Sequence, residues 1–349
     1  MPRAQPSITD IFGIEFPVIQ APMAGSQGSA LAIAVSNAGG LGSLPCAMLG
    51  PDQIRSELRA ITSATNRPYN VNFFVHRPPQ PDEARDAAWR TLLAPYYAEL
   101  GIDSSAIQSG PARTPFGDDA ADVLEEFKPP VVSFHFGLPS ETLLARLKPW
   151  GAKVISSATT VDEARWLEAR GVDAVIAQGW EAGGHRGIFL SDDLSTQVGT
   201  FALVQQIAAA VRVPVIAAGG IAGAACVDAA MRLGASGVQV GTAYLFCPEA
   251  TTSAVHGAAL NSDGAQRTAL TNVFTGRPAR GIVNRLMREV GPISAVAPPF
   301  PLAAAAVSPL RAISEAQGSS DFSPLWAGQN CQRHALSAAG LTQELAGGM

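Results

Sequence analysis

The chain has 349 residues, of which 47% are hydrophobic and 15% are charged, and its formal net charge is −5. This composition indicates a globular protein with one large core, and it offers neither a basic patch for nucleic acid nor an apolar run of membrane-spanning length. The four cysteines are far apart with no pair at CxxC spacing, so we expect neither a zinc site nor disulfides, and we expect a cytoplasmic location.

Eight short apolar runs recur along the chain and predict strands. In order they are "PVIQAPMAG", "GGLGSLP", "YNVNFFV", "VVSFHFG", "KVISSAT", "AVIAQG", "VPVIAAGG" and "GVQVGT". Helical patterns such as "PDQIRSELRAITSAT" and "TFALVQQIAAAVR" lie between most of them. Continuous apolar runs that alternate with helices are typical of a covered parallel sheet, and eight of them predict a closed (β/α)₈ TIM barrel. A doubly wound sheet is the structural alternative.

Two segments are too long for this plan. Residues 76–117 contain a helical pattern around Asp82 to Leu100 and are predicted to form an insert that could act as a lid. Residues 248–302 continue past the eighth predicted strand with helices of their own, and we expect them to form a small domain over the barrel mouth. The predicted barrel domain then comprises residues 1–247 and 303–349.

Glycine-containing loops follow the seventh and eighth predicted strands, with the sequences "AAGGIAG" and "QVGTAYL". Ligands of such barrels lie at the carboxyl ends of the strands, and a phosphate commonly lies between these two loops. Exposed backbone N–H groups near the start of a helix favour a phosphate at that point. Glycine after a strand is also ordinary turn chemistry, but the two loops together favour a phosphorylated cofactor.

Amide side chains end two of the other predicted strands. Asn72 and Gln178, with the tight turn from Ala21 to Met23, suit hydrogen bonding to a planar, amide-like ring such as an isoalloxazine. Capping of a turn is an equal alternative for either amide taken alone. Lys153 begins its predicted strand and the other two lysines lie outside strands, which excludes a Schiff-base aldolase.

Two of the five histidines are predicted to face the barrel mouth. His185 lies in "AQGWEAGGHRG", among four glycines, and an imidazole there titrates near neutral pH. His135 lies within the fourth predicted strand, where a core histidine bonded to a backbone carbonyl is an equal alternative to substrate contact. Glu181 could orient His185, or it could simply be solvated. The remaining histidines are expected to be solvated or to cap helices; they are His76, His256 and His334. Because no Asp, Glu or Cys accompanies the facing pair at ligand spacing, no metal is predicted.

Taken as a set, these motifs resemble the nitronate monooxygenases, formerly called 2-nitropropane dioxygenases, in the class that includes bacterial enzymes. The motifs are "QAPMAG", "GGLGSL", "NVNFFVH", "SFHFGLP", "AQGWEAGGHRG", "AAGGIA", "QVGTAYL" and "TNVFTGRPARGIVNR", spread from about residue 8 to about residue 330. "EAGGH" alone is shared with the FMN-dependent enoyl-acyl-carrier-protein reductases. The arginine after His185, the "SFHFG" strand and the long insert resemble the monooxygenases more.

The resemblance implies a non-covalent FMN and oxidation of alkyl nitronates with O₂ to carbonyl compounds and nitrite, a detoxification reaction. It implies small-molecule nitronate or nitroalkane substrates, no nucleic-acid or membrane partner, and a monomer or homodimer. His185 matches the catalytic histidine. The matching FMN-binding positions are Asn72, Gln178, Gly183, Gly220, Gln239, Val240, Gly241 and Thr242, with Met23 and Gly219 adjacent. The alternatives are an FMN-dependent NAD(P)H reductase of the enoyl-acyl-carrier-protein or quinone type and a catalytically silent barrel that binds flavin or phosphate.

His135 and Phe300 are the expected substrate contacts. In the segment "VAPPFPLAAAAVSPLR" the resemblance predicts tyrosines and a basic residue if the substrate carries a carboxylate, but the chain has Phe300 there and Arg311 as its nearest basic residue. Propionate 3-nitronate and a neutral alkyl nitronate both remain open. His185 could act as a base or as a cation that attracts the nitronate.

Overall fold

A computed structural model describes residues 7–103, 105, 107 and 113–347 of the chain. Parts of the predicted insert and of the predicted barrel domain lie outside the described residues, namely 104, 106, 108–112, 1–6 and 348–349. No helix among the described residues is both long and apolar enough to span a membrane.

The strands form two separate sheets. In chain order they are β1 (Val18–Gln20), β2 (Gly42–Pro45), β3 (Tyr69–Phe74), β4 (Val131–His135), β5 (Lys153–Ala158), β6 (Ala174–Gln178), β7 (Gly184–His185), β8 (Val215–Ala218), β9 (Gly237–Val240), β10 (Thr268–Thr271) and β11 (Ala279–Ile282). Eight of them form one parallel sheet in the order β1-β9-β8-β6-β5-β4-β3-β2, and the other three form an antiparallel sheet in the order β10-β11-β7. The eight predicted strands are all present.

Two backbone hydrogen bonds close the large sheet into a ring. Leu41 N donates to Val18 O at 2.9 Å, and Gln20 N donates to Leu41 O at 3.0 Å, which joins β1 to the segment that leads into β2. A doubly wound sheet would leave these edges open. The TIM barrel predicted from the sequence is therefore confirmed.

Helices cover the outside of the barrel and extend beyond it. They are α1 (Ile8–Phe12), α2 (Ser29–Asn37), α3 (Pro51–Ala64), α4 (Glu83–Glu99), α5 (Asp118–Phe127), α6 (Glu141–Leu147), α7 (Val161–Glu168), α8 (Thr200–Ala210), α9 (Ala224–Arg232), α10 (Ala254–Leu260), α11 (Arg285–Glu289), α12 (Ala304–Ala316) and α13 (Ala338–Ala346). The helix predicted in the insert is α4, and it begins where the Asp82 carboxylate accepts a hydrogen bond from Arg85 N at 3.0 Å.

Branched side chains fill the interior of the barrel. Ile19, Ile155, Ile176 and Ile216 come from four different strands and are buried together with Ile8 of α1. Such layers make the inside of a (β/α)₈ barrel a packed core rather than a channel. The room for a ligand therefore lies at the carboxyl ends of the strands.

The insert and the segment after β9 share a second core. Trp89 and Tyr97 of α4 are buried there, and their side chains donate hydrogen bonds to the carbonyls of Ala303 at 3.2 Å and Ala306 at 2.7 Å. In contrast, α13 packs against α2 and α9 of the barrel. The domain boundaries after residues 247 and 302 stay predictions, although the shared core joins the insert to the residues that follow the second boundary.

Candidate active site

A cavity opens at the carboxyl ends of the barrel strands. Of the residues predicted to bind FMN or substrate, those that line it are Met23, Asn72, His135, Gln178, Gly183, His185, Gly219, Gly220, Gln239, Gly241 and Thr242. The side chain of Val240 lies instead in the core between barrel and helices. Its carbonyl accepts a hydrogen bond from Ala21 N at 2.8 Å. The FMN-binding role of Val240 stays a prediction.

His185 lies in an aromatic cage. Its ring centroid is 5.3 Å from that of Phe300, 5.5 Å from that of Trp326 and 6.0 Å from that of Phe74. Its Nε2 atom is hydrogen-bonded to the hydroxyl of Thr275 at 2.9 Å. Phe300 therefore contacts the histidine, although it is not among the residues that line the cavity.

The surroundings of His185 favour its neutral form. Burial lowers the pKa of the imidazole well below its ordinary value, and the cations of Arg113 and Arg277, with His135 and His76, lower this pKa further. A charged imidazolium would lose its hydration and would face two like charges. The protein without ligand therefore holds an uncharged imidazole at neutral pH.

Two side chains hold the backbone of His185. Its carbonyl accepts hydrogen bonds from His135 Nε2 at 3.1 Å and from Gln178 Nε2 at 3.0 Å. Because a carbonyl only accepts, His135 carries its proton on Nε2 and accepts from Ser157 Oγ through Nδ1 at 3.0 Å. Burial lowers the pKa of His135 to about 3. The carbonyl-bonded histidine left open by the sequence is thus present, and its ring also lines the cavity.

Glu181 does not contact His185. Its carboxylate accepts from the backbone N of Thr200 at 2.8 Å and from the hydroxyl of the same residue at 2.7 Å. These bonds stabilise the start of α8. Glu181 therefore does not orient the histidine, and its half-buried carboxylate is hydrogen-bonded at the start of α8.

Two of the three remaining histidines are buried, contrary to expectation. The ring of His76 lies 4.8 Å from that of Phe300, its Nε2 donates to Arg113 O at 3.0 Å, and burial lowers its pKa to about 4. Burial also lowers the pKa of His256 to about 4. His334 is half-buried, with Nδ1 accepting from Leu336 N at 3.1 Å and Nε2 donating to Ala243 O at 2.8 Å, and the helix that follows is capped by Ser337 instead.

Protein packing explains three of the four glycines around His185. A Cβ atom on Gly179 would overlap Thr200, one on Gly183 would lie 2.6 Å from the backbone of Ala327, and one on Gly187 would lie 3.0 Å from the ring of His135. These three glycines let neighbouring segments of the protein approach one another. Only Gly184 combines a positive φ of 72° with open space around a Cβ, and it lines the cavity.

The loops after β8 and β9 form the other end of the cavity. Gly219 and Gly220 have φ values of 117° and 73°, and the side chain of Asn330 donates to Gly220 O at 2.8 Å. The Thr242 hydroxyl accepts from Gly328 N at 2.9 Å. Gln239 Oε1 is buried and has no hydrogen-bond partner among the described residues, which leaves it available to a donor on a bound molecule.

Arg113 gives the cavity a positive charge. Among the described residues that line the cavity it is the one arginine, and no lysine or carboxylate joins it there. Its guanidinium carbon lies 5.5 Å from the centroid of the Phe300 ring. Within the part of the chain that the structure describes, no cluster of three or more His, Cys, Asp or Glu could hold a metal ion. The electrostatics of the site suit an anion.

Sequence reasoning missed several residues of this site. Arg113 comes from the insert, Thr275 precedes β11, and Trp326 and Asn330 come from the segment after α12. Thr275 lies within the quoted motif "TNVFTGRPARG", which was a usable signal. The other three stand in stretches with no regular pattern.

Fold and site together define a (β/α)₈-barrel enzyme that combines a buried histidine with glycine-rich loops at the carboxyl ends of its strands. A family model described as nitronate monooxygenase matches residues 5–347. The chain belongs to the nitronate monooxygenase family, a family of oxidoreductases that is flavin-dependent in general, with FMN its typical cofactor. The resemblance seen in the sequence is thereby confirmed.

Relatives and solved structures agree with this family. The chain is 43% identical to a nitronate monooxygenase of Pseudomonas aeruginosa, with 92% of each chain covered, and 42% identical to one of Paraburkholderia phytofirmans, with 97% of this chain and 93% of that one covered. The structure of nitroalkane oxidase from Streptomyces ansochromogenes superimposes with a TM-score of 0.87 at 38% identity and 98% coverage of both chains. FabK from Thermotoga maritima gives 0.74 at 27% identity, with 99% of this chain and 96% of that one covered.

Proposed function

We propose that the protein binds FMN in this cavity and oxidises alkyl nitronates with O₂ to a carbonyl compound and nitrite. The observation that carries the proposal is the buried, neutral His185 beside a cavity whose lining includes the cation of Arg113 and no carboxylate among the described residues. A nitronate is an anion, and its parent nitroalkane loses a proton from carbon. A neutral base can take the proton of the nitroalkane, and a cation in the same cavity can attract the nitronate.

The cofactor residues are spread around the cavity, and Gln239 lies on the strand that leads to Gly241. The backbone of Gly219 and Gly220, just before α9, and that of Gly241, just after β9, would hold the FMN phosphate. Asn72 and the unpartnered Gln239 Oε1 would face the ring, whose N–H group is the kind of donor that such an oxygen needs. Met23, Gln178, Gly183 and Thr242 complete the proposed FMN-binding set. When bound, FMN supplies single-electron transfer between the nitronate and O₂.

The protein's own chemical step is proton transfer at His185. We assign its proton to Nε2, which then donates to the Thr275 hydroxyl, because this arrangement leaves Nδ1 free to accept. Nδ1 would take the proton from the carbon that bears the nitro group. The aromatic cage excludes water around the base, and His135 contributes by fixing the His185 backbone and lining the cavity.

The wider proposal is detoxification of nitronates in the cytoplasm, by a monomer or homodimer in which residues 248–302 cover the substrate. Light scattering on the purified protein measures the assembly. The four cysteines are free, as a reducing compartment requires.

One comparison tests the reaction. O₂ uptake and nitrite release are measured with ethylnitronate and with propionate 3-nitronate, and NAD(P)H oxidation is measured with an enoyl thioester and with a quinone. We expect rapid nitrite release, slow NAD(P)H oxidation and about one FMN per chain in the absorbance spectrum. Negligible turnover of both nitronates with rapid NAD(P)H oxidation would assign a reductase instead. No turnover in any arm would assign a silent flavin barrel.

A further inference from the structure

Arg113 occupies a fixed place beside the catalytic histidine. Its guanidinium lies over the ring of Phe300, which itself contacts His185. The Arg113 carbonyl accepts from His76 Nε2 at 3.0 Å, directly after β3. A hydrogen bond of 2.8 Å from Phe116 N to Phe74 O ties the following residues to the end of the same strand. The cation therefore belongs to the β3 side of the barrel mouth.

The half-buried guanidinium of Arg113 lacks the acceptors that the buried guanidinium groups of Arg186 and Arg280 have. Arg186 donates to the carbonyls of Gln178 and Gly179 at 2.8 and 2.6 Å, and Arg280 donates to Trp180 O at 2.9 Å. No ion pair or side-chain hydrogen bond joins Arg113 to another described residue. Because desolvating a cation without a partner costs free energy, this arrangement favours an anion brought by a ligand.

The FMN phosphate would lie too far from Arg113 to be the anion that this residue binds. In the ring of strands, β3 and β4 lie across the barrel from β8 and β9, with β5 and β6 between them on one side and β1 and β2 on the other. A phosphate held by the loops after β8 and β9 is therefore at the far end of the cavity. The anion at Arg113 has to come from the molecule that lies next to His185.

We propose that Arg113 binds an anionic group of the substrate and so sets the enzyme's preference for charged substrates. The identity of that substrate rests on the proposed function. A guanidinium offers two parallel N–H donors to a planar group with two oxygens, and both a nitronate and a carboxylate have this shape. Arg311, the basic residue singled out from the sequence, is instead paired with Glu315 at 2.8 Å on α12.

Binding of simple anions tests the site without catalysis. Isothermal titration of the FMN-loaded protein compares propionate with propionamide, which has the same size and no charge. We expect the wild type and Arg311→Met to bind propionate and not propionamide, and Arg113→Met to lose propionate binding. Arg113→Lys, which keeps the charge, should retain part of the affinity. Equal propionate binding by wild type and Arg113→Met would overturn the proposal.

Kinetics then identify the anionic group. Arg113→Met should raise KM roughly 10- to 100-fold for an anion that it contacts, the scale of a lost charged hydrogen bond. A rise for propionate 3-nitronate alone assigns the group as the carboxylate, and a rise for ethylnitronate as well assigns it as the nitronate. Unchanged KM values for both would contradict the proposal. If the wild type oxidises no nitronate, the proposed function fails, while the titration still decides whether Arg113 binds anions.

Discussion

The imidazole of His185 is hydrogen-bonded to the hydroxyl of Thr275, at 2.9 Å between Nε2 and Oγ1 and across 90 residues of sequence. The bond couples the loop after β6 to the segment before β11. Because Nε2 is hydrogen-bonded to the Thr275 hydroxyl, the edge of the ring that carries Nδ1 is the one available to a substrate. The orientation of the imidazole is thus set by a residue that lies outside the barrel strands.

Replacement of Thr275 by valine keeps the side-chain shape and removes the hydroxyl. We expect kcat/KM on nitroethane to fall about tenfold, the scale of one lost hydrogen bond. Activity on preformed ethylnitronate should change little, because that substrate needs no base. Thr275→Ser, which retains the hydroxyl, should restore most of the nitroethane activity. Equal losses on nitroethane and ethylnitronate would show a merely structural role.

Replacement of His185 by asparagine tests the base directly. Removal of a positioned base should lower kcat/KM on nitroethane by roughly a hundredfold or more. The loss on ethylnitronate should be much smaller, since its proton is already gone. Steady-state O₂ uptake with both substrates measures the difference. Unchanged activity of the variant on both would remove His185 from the mechanism.

Loss of the Arg113 charge should change the pH dependence. Cations at Arg113 and Arg277, with His135 and His76, lower the pKa of His185 below its ordinary value. In Arg113→Met the pKa of His185 therefore rises, and the acidic limb of the nitroethane kcat/KM profile should move to higher pH. A substrate anion bound to Arg113 would offset the same charge.

Arg311→Met is the matched control for this shift, since it removes an arginine whose charge is already balanced by Glu315. Its acidic limb should coincide with that of the wild type. An identical limb in Arg113→Met would mean that the guanidinium does not act on the base.

Flavin retention should depend on the backbone at Gly220. Its φ is 73°, which a branched residue avoids, and a Cβ there would meet only the side chain of Glu181 within the protein, at 3.4 Å from its Cβ and 3.7 Å from its Cγ. We expect Gly220→Val to lose FMN, measured by absorbance after gel filtration. Gly171→Val is the control, because Gly171 has a φ of 80° with nothing around a Cβ and lies far along the chain from the cavity loops. Flavin retained in Gly220→Val would place the phosphate elsewhere.

Buried histidines should make the protein less stable in mild acid. Burial lowers the pKa of His135 to about 3 and those of His76 and His256 to about 4, from 6.5. Between these values the unfolded chain binds protons that the folded protein does not, so the free energy of unfolding falls as pH falls. The slope approaches about 1.4 kcal/mol per pH unit for each histidine. Urea unfolding from pH 7 to pH 4 measures it.

His256→Gln supplies the control for that slope. The variant removes one histidine that does not line the cavity, and the pH dependence should decrease by about one proton. A slope equal to that of the wild type would mean that His256 is protonated in the folded protein. The expected decrease should occur whether or not the enzyme is active.

The barrel was predictable because its information is local. Each strand is an apolar run that ends in small or polar residues, and the loops with Gly219, Gly220 and Gly241 could be placed by counting strands. The residues that reach the cavity from the insert and from the segment after α12 were not predictable in this way. Arg113 and Trp326 reach the site through packing between segments about 200 residues apart, and no periodic pattern marks such contacts.

Side-chain roles were also harder to predict than positions. The sequence located Glu181 in the loop after the sixth predicted strand and His76 in the insert. Only the folded chain brings Glu181 close to the start of α8 and His76 close to the carbonyl of Arg113. Polar residues in glycine-rich or extended stretches have many possible partners. Tertiary structure selects one of them, and this selection decides whether such a residue is buried.

The short strand β7 has a consequence for engineering. Gly184 and His185 pair with Arg280 and Ala279 of β11, so the histidine is attached to a sheet separate from the one that carries the glycine loops. A chimaera that exchanged residues 268–300 with those of a homologue would replace the partner and part of the cage of the histidine together. Substrate preference could then be transferred between family members by this one segment while the proposed flavin-binding loops keep their own sequence.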